Sequence, residues 1–463
     1  MDYRREYADI ALFAVERAQR SAAAKGTSIA AEAFVNDMES VQISVSNRAV
    51  EQLNAVKEAG IGLRLLCDGK MAFGSTNDLS RSAVASLVED LVRKVVYHSA
   101  DEFNVIPGPE DGAIASDDSG YADLNNYDPT VSSMPINDKI ARALKMEASG
   151  LGLSPKIVGS MFAVYQDLSV YTYLANSRGI SGWFRQSNCT GTVEYSAAEG
   201  AARESGSYTK SVVKWADFDP EAVGTKAARN ALDMLGARPI RSAEIPLVVS
   251  PEIGTELWSF IAEMLSADAV QKGRSLFAGK IGTRVAAAGL TLIDDGRLKG
   301  GVATAPVDGE GVATQTTTLI SEGMLRSYLY DCYTARKAKT RSTGNRSRNG
   351  YSSEGGIGPT NLYLKPGSLT PEAIFQRVKR GFYLTVALGL FAAIDTASGD
   401  FSIPAAGFMI ENGRKSFPVR GVTVGGNLFE LLKHVEMIGN DLTWFQSVGS
   451  PTFSVSRIKI GGA

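Results

Sequence analysis

The chain has 463 residues, 44% of them hydrophobic, which is more than one core usually serves and leads to an expectation of two or three domains. Its 48 Lys and Arg against 50 Asp and Glu leave a formal charge of −2, which excludes a global attraction to nucleic acid or to an acidic membrane surface. Cys67, Cys189 and Cys332 are far apart, odd in number and without a Cys-x-x-Cys pair, so neither a disulfide framework nor a zinc ribbon is indicated, and a reducing cytoplasm fits.

Met1 to Lys25 lacks the basic start, apolar run and cleavage site of a signal peptide. It reads as an amphipathic helix with Ala8, Ala11, Leu12, Val15, Ala18 and Ala22 on one face. Val41, Ile43 and Val45 alternate with polar residues, as do Ile61, Leu63, Leu65 and Cys67 before the turn pair Asp68-Gly69. An antiparallel sheet is expected there, covered by a helix with the stripe Val84, Leu87, Val88, Leu91, Val92 and Val95. His98 ends that stripe.

Residues 107 to 137, rich in Pro, Gly, Asp, Asn and Ser, read as a long connection to a helix at Ile136 to Ala148. Lys156 to Tyr208 holds short alternating runs, with a turn at Ser177-Arg178-Gly179, and suggests a second antiparallel sheet. Glu221 to Leu235 reads as a helix that Gly236 ends. Ile245 to Val249 is an expected strand, and Ser250-Pro251 caps a helix running to about Ala269. Short strands with Gly-rich turns follow, then one late helix around Phe429 to Met437. The most apolar segment, Phe382 to Ile394, is shorter than the ~20 residues a membrane-crossing helix needs.

These elements predict an α+β fold with three units. They are an N-terminal antiparallel sheet packed with helices over 1–110, a middle α+β segment over 111–240, and a mainly β, barrel-like domain over 241–463.

Familiar catalytic patterns are scarce. Only His98 and His434 could serve as histidine bases, and neither a Gly-x-Ser-x-Gly elbow nor a phosphate loop is present. Cys332 lies beside a basic segment, which would lower its thiol pKa, but with no histidine partner in view a thiol nucleophile is not the expected reading. Asp294-Asp295 and Asp308-Gly309-Glu310-Gly311 read as turn chemistry rather than as a calcium ladder. Arg336 to Arg348 has six basic residues in thirteen and reads as a flexible basic loop, with little aromatic interleaving for single-stranded nucleic acid.

Near the end, Gly399-Asp400-Phe401-Ser402, Gly407-Phe408, Ile410-Glu411-Asn412-Gly413, Gly425-Gly426-Asn427-Leu428 and Ile438-Gly439-Asn440-Asp441-Leu442 follow in order. Gly60-Ile61-Gly62-Leu63-Arg64 and Phe73-Gly74-Ser75-Thr76-Asn77-Asp78-Leu79 come earlier. Together these words resemble the TldD/PmbA family, once labelled modulators of DNA gyrase and built around a zinc peptidase. The resemblance implies a His-Glu-x-x-x-His motif on the helix after Ser250-Pro251. Asp268, Lys272-Gly273, Ser275 and Phe277 register that motif onto Trp258, Ser259, Phe260, Ile261, Ala262 and Glu263. The family's third ligand, a cysteine after the Gly-Asn-Asp-Leu word, has no counterpart between Leu442 and Pro451.

A catalytic zinc normally takes three His, Cys or carboxylate ligands, so of these six residues only Glu263 offers one. The resemblance therefore implies a PmbA, or TldE, type of subunit without cofactor, whose zinc sits in a TldD-type partner. It implies pairing with that partner, or self-association as a homodimer, around a cavity for unfolded peptide, in the cytoplasm, with no membrane and no nucleic acid partner. Arg336, Arg341, Asn345, Asn361 and His434 are the candidates to border that cavity. Two alternatives stand beside this reading. One is a self-sufficient hydrolase using Glu263 with Asp268 or Asp441; the other is a peptide-binding regulatory protein related to gyrase modulation.

Overall fold

The computed structural model describes residues 3–24, 26–115 and 122–462. Met1, Asp2 and Lys25 of the expected first helix, and Ser116 to Tyr121 of the expected long connection, lie outside the described residues. Helix α1 (Tyr3–Ala23) buries Tyr7, Ile10, Ala11, Ala14, Val15, Ala18 and Ala22. The expected stripe is therefore rotated: Leu12 is 42% exposed, while Ile10 and Ala14 face the sheet.

Alternation then produces β1 (Ala30–Ser46), β2 (Ala49–Cys67) and β3 (Lys70–Thr76). Asp68 at φ 49° and Gly69 at φ 77° form the tight turn between β2 and β3, both central residues being left-handed. Helix α2 (Arg81–Lys94) starts where Ser80 accepts the Ala83 amide, and with α1 it packs on Ala33, Val35, Ile61, Leu63 and Leu65. His98 leaves the apolar stripe, because a 3₁₀ turn over Val95–Tyr97 ends the helix early and the imidazole is exposed.

After α3 (Thr130–Ser133) and α4 (Ile136–Leu151), the expected short runs merge into long strands. These are β4 (Ile157–Asn176), β5 (Ser181–Glu199) and β6 (Ala202–Val212). They do not form a sheet of their own. β1 pairs with β2 on one side and with β4 on the other, from Glu32 opposite Asn176 to Val45 opposite Ala163. A single antiparallel half-barrel of order β3-β2-β1-β4-β5-β6 thus crosses the boundary expected near residue 110. α4 and α5 (Pro220–Asp233) cover the second half of its outer face around Tyr165, Tyr195, Trp215 and Phe218.

The C-terminal region opens with β7 (Ala243–Val249) and α6 (Pro251–Met264). Ser250 caps α6 by accepting the Ile253 amide, with Pro251 at the first helical position. The helix expected to reach Ala269 is two helices. Ser266 provides a second cap, accepting from Ala269, and starts α7 (Ala267–Gln271). β7 and strands Gly381–Ala387, Asp400–Glu411, Arg414–Asn427 and Phe453–Gly461 close into a barrel, because 414–427 also pairs with 453–461. The family words between Gly399 and Leu428 make one long hairpin of this barrel, turning at Asn412-Gly413. The expected helix of 429–437 is shorter: it covers Leu428–Lys433, and Val435–Ile438 is a strand.

Candidate functional site

Among the described residues the clefts separate the candidates rather than gather them. Trp258, at the position the resemblance gives to the first histidine, points away from these clefts into the core. It is 0% exposed, packs 5.3 Å from the Phe453 ring and donates its indole N–H to Ser450 Oγ at 3.0 Å. An indole nitrogen has a proton and no ligating lone pair. Ser259 donates to the Thr255 carbonyl at 2.8 Å and lines a cleft of about 330 Å³ between β6, α6 and residues 445–448. Half-buried Glu256 faces that cleft too, its carboxyl raised by burial.

Glu263 is exposed and lies in a separate cleft of about 570 Å³. Asp268 shares that cleft, but Lys272 at 2.7 Å and Arg274 at 3.1 Å already hold its carboxylate. Asp441 is elsewhere, accepting from the Thr452 amide and hydroxyl. Where a cysteine ligand is implied, strands Thr443–Phe445 and Val448–Ser450 form a tight hairpin. Among the described residues no three His, Cys, Asp or Glu side chains are arranged to hold a metal ion. The donor set at the motif positions does not fit zinc.

The third and central cleft, about 540 Å³, lies between the inner face of the half-barrel and the segment 344–360. Alternation assigns its sheet wall: Asn36 and Met38 of β1, Leu168, Val170 and Thr172 of β4, Phe184 and Gln186 of β5. Further along the same face Thr190 meets Ser211 at 2.8 Å and Thr192 meets Thr209 at 3.0 Å. The surface is mixed, uncharged over most of its width, and within the usual size of a ligand cleft.

Beneath the opposite wall lies a buried charge cluster that the sequence reading did not assemble. Arg64 holds Glu32 through two bonds of 2.9 and 2.7 Å, and Arg348 pairs with the same carboxylate. Arg64 also lies 3.6 Å from Glu310, while Arg346 reaches Asp331 at 2.6 Å. Burial opposes ionisation of Glu32, yet Arg64 and Arg348 together outweigh it and hold its pKa down at about 2. Burial also pulls Arg348 down to about 10, against the attraction of Glu32. Asp308 and Glu310 are raised by burial; Asp308 rises further beside Glu310, while Arg64 and Arg346 oppose the rise of Glu310.

This cluster corrects three expectations. Asp308 and Glu310 do more than shape turns: Asp308 accepts the Arg346 amide and Glu310 the Cys332 amide, both from buried positions. The basic segment is not a flexible loop, because Cys332–Lys337 is a helix, Ser342 and Asn345 are buried, and the Arg348 side chain is 1% exposed. Cys332 is no activated thiol: burial, then the Glu310 and Asp308 carboxylates, push it well up. The available signal was Arg64, a charge in an alternating apolar strand, together with the acidic pair at 308 and 310.

The cavity candidates separate. Asn345 lines the central cleft and donates to Asp294 Oδ2 at 2.7 Å. Asn361 is 0% exposed and serves the fold, donating to the Asp295 carbonyl and Thr304 Oγ1. Arg336 pairs with Asp111 at 3.0 Å on the surface, and Arg341 is exposed. His434 caps the 428–433 helix, its Nδ1 2.7 Å from the Glu430 carbonyl.

Family models match most of the chain: the PmbA/TldA metallopeptidase domain 1 over residues 31–95, the central domain over 129–235 and the C-terminal domain over 242–462. The chain is 25% identical over 443 residues to the metalloprotease PmbA of Escherichia coli O157:H7, covering 95% of this chain and 94% of that one. It is 30% identical over 253 residues to a metalloprotease TldD homolog of Buchnera aphidicola subsp. Schizaphis graminum, covering 51% of this chain and 52% of that one. The fold matches TldE from Thermococcus kodakarensis with a TM-score of 0.83 at 20% identity, over 97% of this chain and all of that one (100%). With the three family models matched in order along it, this chain belongs to the PmbA/TldD metallopeptidase family.

Proposed function

We propose that this chain is the non-catalytic, TldE-type half of a cytoplasmic peptidase, pairing with a TldD-type subunit that carries the zinc. The observation behind this reading is Trp258. At the position given to a ligating histidine stands a fully buried indole bonded to Ser450, so the helix that would present a metal serves the core instead. The central cleft supplies the second support. An extended peptide binds a sheet-lined groove through its main chain, with side chains contributing little selectivity when the walls mix Ser, Thr, Asn and Gln with a few apolar groups. In this reading the chain shapes and closes a chamber for unfolded peptide, and the partner does the cleavage.

Size-exclusion of this chain with a TldD-type chain from the same organism tests the proposal. A joint peak at micromolar concentration, with peptide cleavage only in that peak, is the expected result. Separate elution, or cleavage by this chain alone, would overturn it.

A further inference from the structure

Strand β2 runs well past the strand beside it. β3 pairs only with Ile61 to Cys67, so among the described residues no strand but β1 pairs with Ala49 to Glu58. Those residues are exposed on both faces of the sheet and leave one edge of backbone N–H and C=O groups open. The other end of the half-barrel is covered: Asn230 donates to the Ser207 carbonyl of β6 at 2.9 Å, and the Tyr208 ring packs 5.8 Å from Phe445.

Edges that must stay single are kept short or broken by proline, bulges and unpaired lysines. This edge is long and has no proline. Its lysine, Lys57, already pairs with Glu39, and its bulge falls near the tip, opposite Ser44 and Val45. Val50, Leu53 and Val56 stand exposed along it. Such an edge is a template for another strand, and its own sequence supplies a matching one. Laid antiparallel against a copy of itself about a two-fold axis through Asn54, it sets Glu51 opposite Lys57 and Leu53 opposite Ala55, each twice. An axis through Leu53 would set Glu51 against Ala55, and one through Ala55 would set Leu53 against Lys57. A peptide of arbitrary sequence would match the backbone alone, whereas the charge match singles out a second copy.

We propose that this edge joins two copies of the chain, β2 to β2 across a two-fold axis at Asn54, so that two half-barrel sheets run on as one. Val50 to Glu58 paired with its copy makes about eight to ten backbone hydrogen bonds, within the usual range for a protein interface. The proposal goes beyond the subunit reading, since it concerns this chain in the absence of any other.

Light scattering of the full chain at micromolar concentration is expected to give the mass of two chains. Residues directly opposite in an antiparallel pair have Cα atoms about 4.5–5.5 Å apart, inside disulfide range, and the natural cysteines are buried. Asn54→Cys is therefore expected to give a disulfide-linked dimer under mild oxidation, and Ala49→Cys, distant from its own copy in this register, at least tenfold less. Asn54→Lys sets like charges opposite each other at the axis and is expected to raise the dimer dissociation constant at least tenfold. All three substitutions fall on exposed positions, so the fold is retained. A single-chain mass for the unsubstituted protein overturns the proposal. So does a two-chain mass in which Asn54→Cys links no better than Ala49→Cys, which would move the interface to another face.

Discussion

Glu32 and Arg348 lie 316 residues apart in the chain and meet as an ion pair with side chains 0% and 1% exposed. This contact ties the half-barrel to the C-terminal region at the central cleft. Removing one partner of a buried pair leaves uncompensated charge, so Glu32→Gln is expected to destabilise the protein by roughly 3–5 kcal/mol at pH 7. Because the Glu32 pKa is held at about 2, below its ordinary 4.5, its contribution is fully present above pH 4.5 and lost as pH falls through 2. Urea unfolding from pH 7 to 3 checks this: the gap between the two proteins should narrow with acid.

Asp294 behaves in the opposite sense. Burial raises it to about 6, with Asn345 and Thr360 opposing the rise. A raised carboxyl contributes most below its ordinary value, and that contribution is lost as pH climbs through 6. Asp294→Asn removes this dependence. Its deficit relative to the unsubstituted protein should shrink by about 2 kcal/mol between pH 4 and pH 7 in the same unfolding measurements. A gap constant over that window would contradict the assignment.

Trp258 and Ser259, neighbours at the positions the resemblance gives to the motif, carry unequal structural weight. Trp258→Ala empties a fully buried site and should cost roughly 3–5 kcal/mol, while Ser259→Ala should stay within about 0.5 kcal/mol. Writing the motif back, as the triple variant Trp258→His, Ser259→Glu, Glu263→His, should not create a zinc site. Position 258 faces Phe453 and Ser450, and the hairpin after Leu442 offers no third ligand. Elemental analysis after exhaustive dialysis checks this; about one zinc per chain would refute it.

Gly60 and Gly62 differ in what a side chain would meet. A Cβ at Gly62 would lie 2.2 Å from the Tyr351 carbonyl oxygen, whereas at Gly60 it would meet the Tyr351 ring at 2.5 Å. A ring can swing and a backbone cannot, so Gly62→Ala should lower stability by about 1–3 kcal/mol and Gly60→Ala by less. Thermal melting of the two variants gives the order.

Those glycines show what the sequence could disclose. Alternation through Ile61, Leu63 and Leu65 located the strand and its buried face. Nothing local announced that Tyr351 would press against the other face, or that Arg64 would find Glu32 and Glu310 there. The same limit applies to the sheet: periodicity finds strands but not which strand lies beside which, so β1 and β4 were expected in separate sheets. The helix break at Leu265 was legible in principle, since Ser266 is a good cap, but the apolar run across it suggested continuity. Trp258 was assigned to a motif position from the resemblance alone; its burial needed the barrel strand carrying Phe453.

The placement of β1 between β2 and β4 also bears on how the chain is made. β1 ends at Ser46, and β4 does not begin until Ile157. At ordinary translation rates of 5–20 residues per second, that interval lasts roughly 5–20 s. Throughout it, one edge of β1 has emerged from the ribosome without its partner strand, an open template for wrong pairing. A nascent chain of this protein therefore carries an unpaired central strand for seconds before its half-barrel can close.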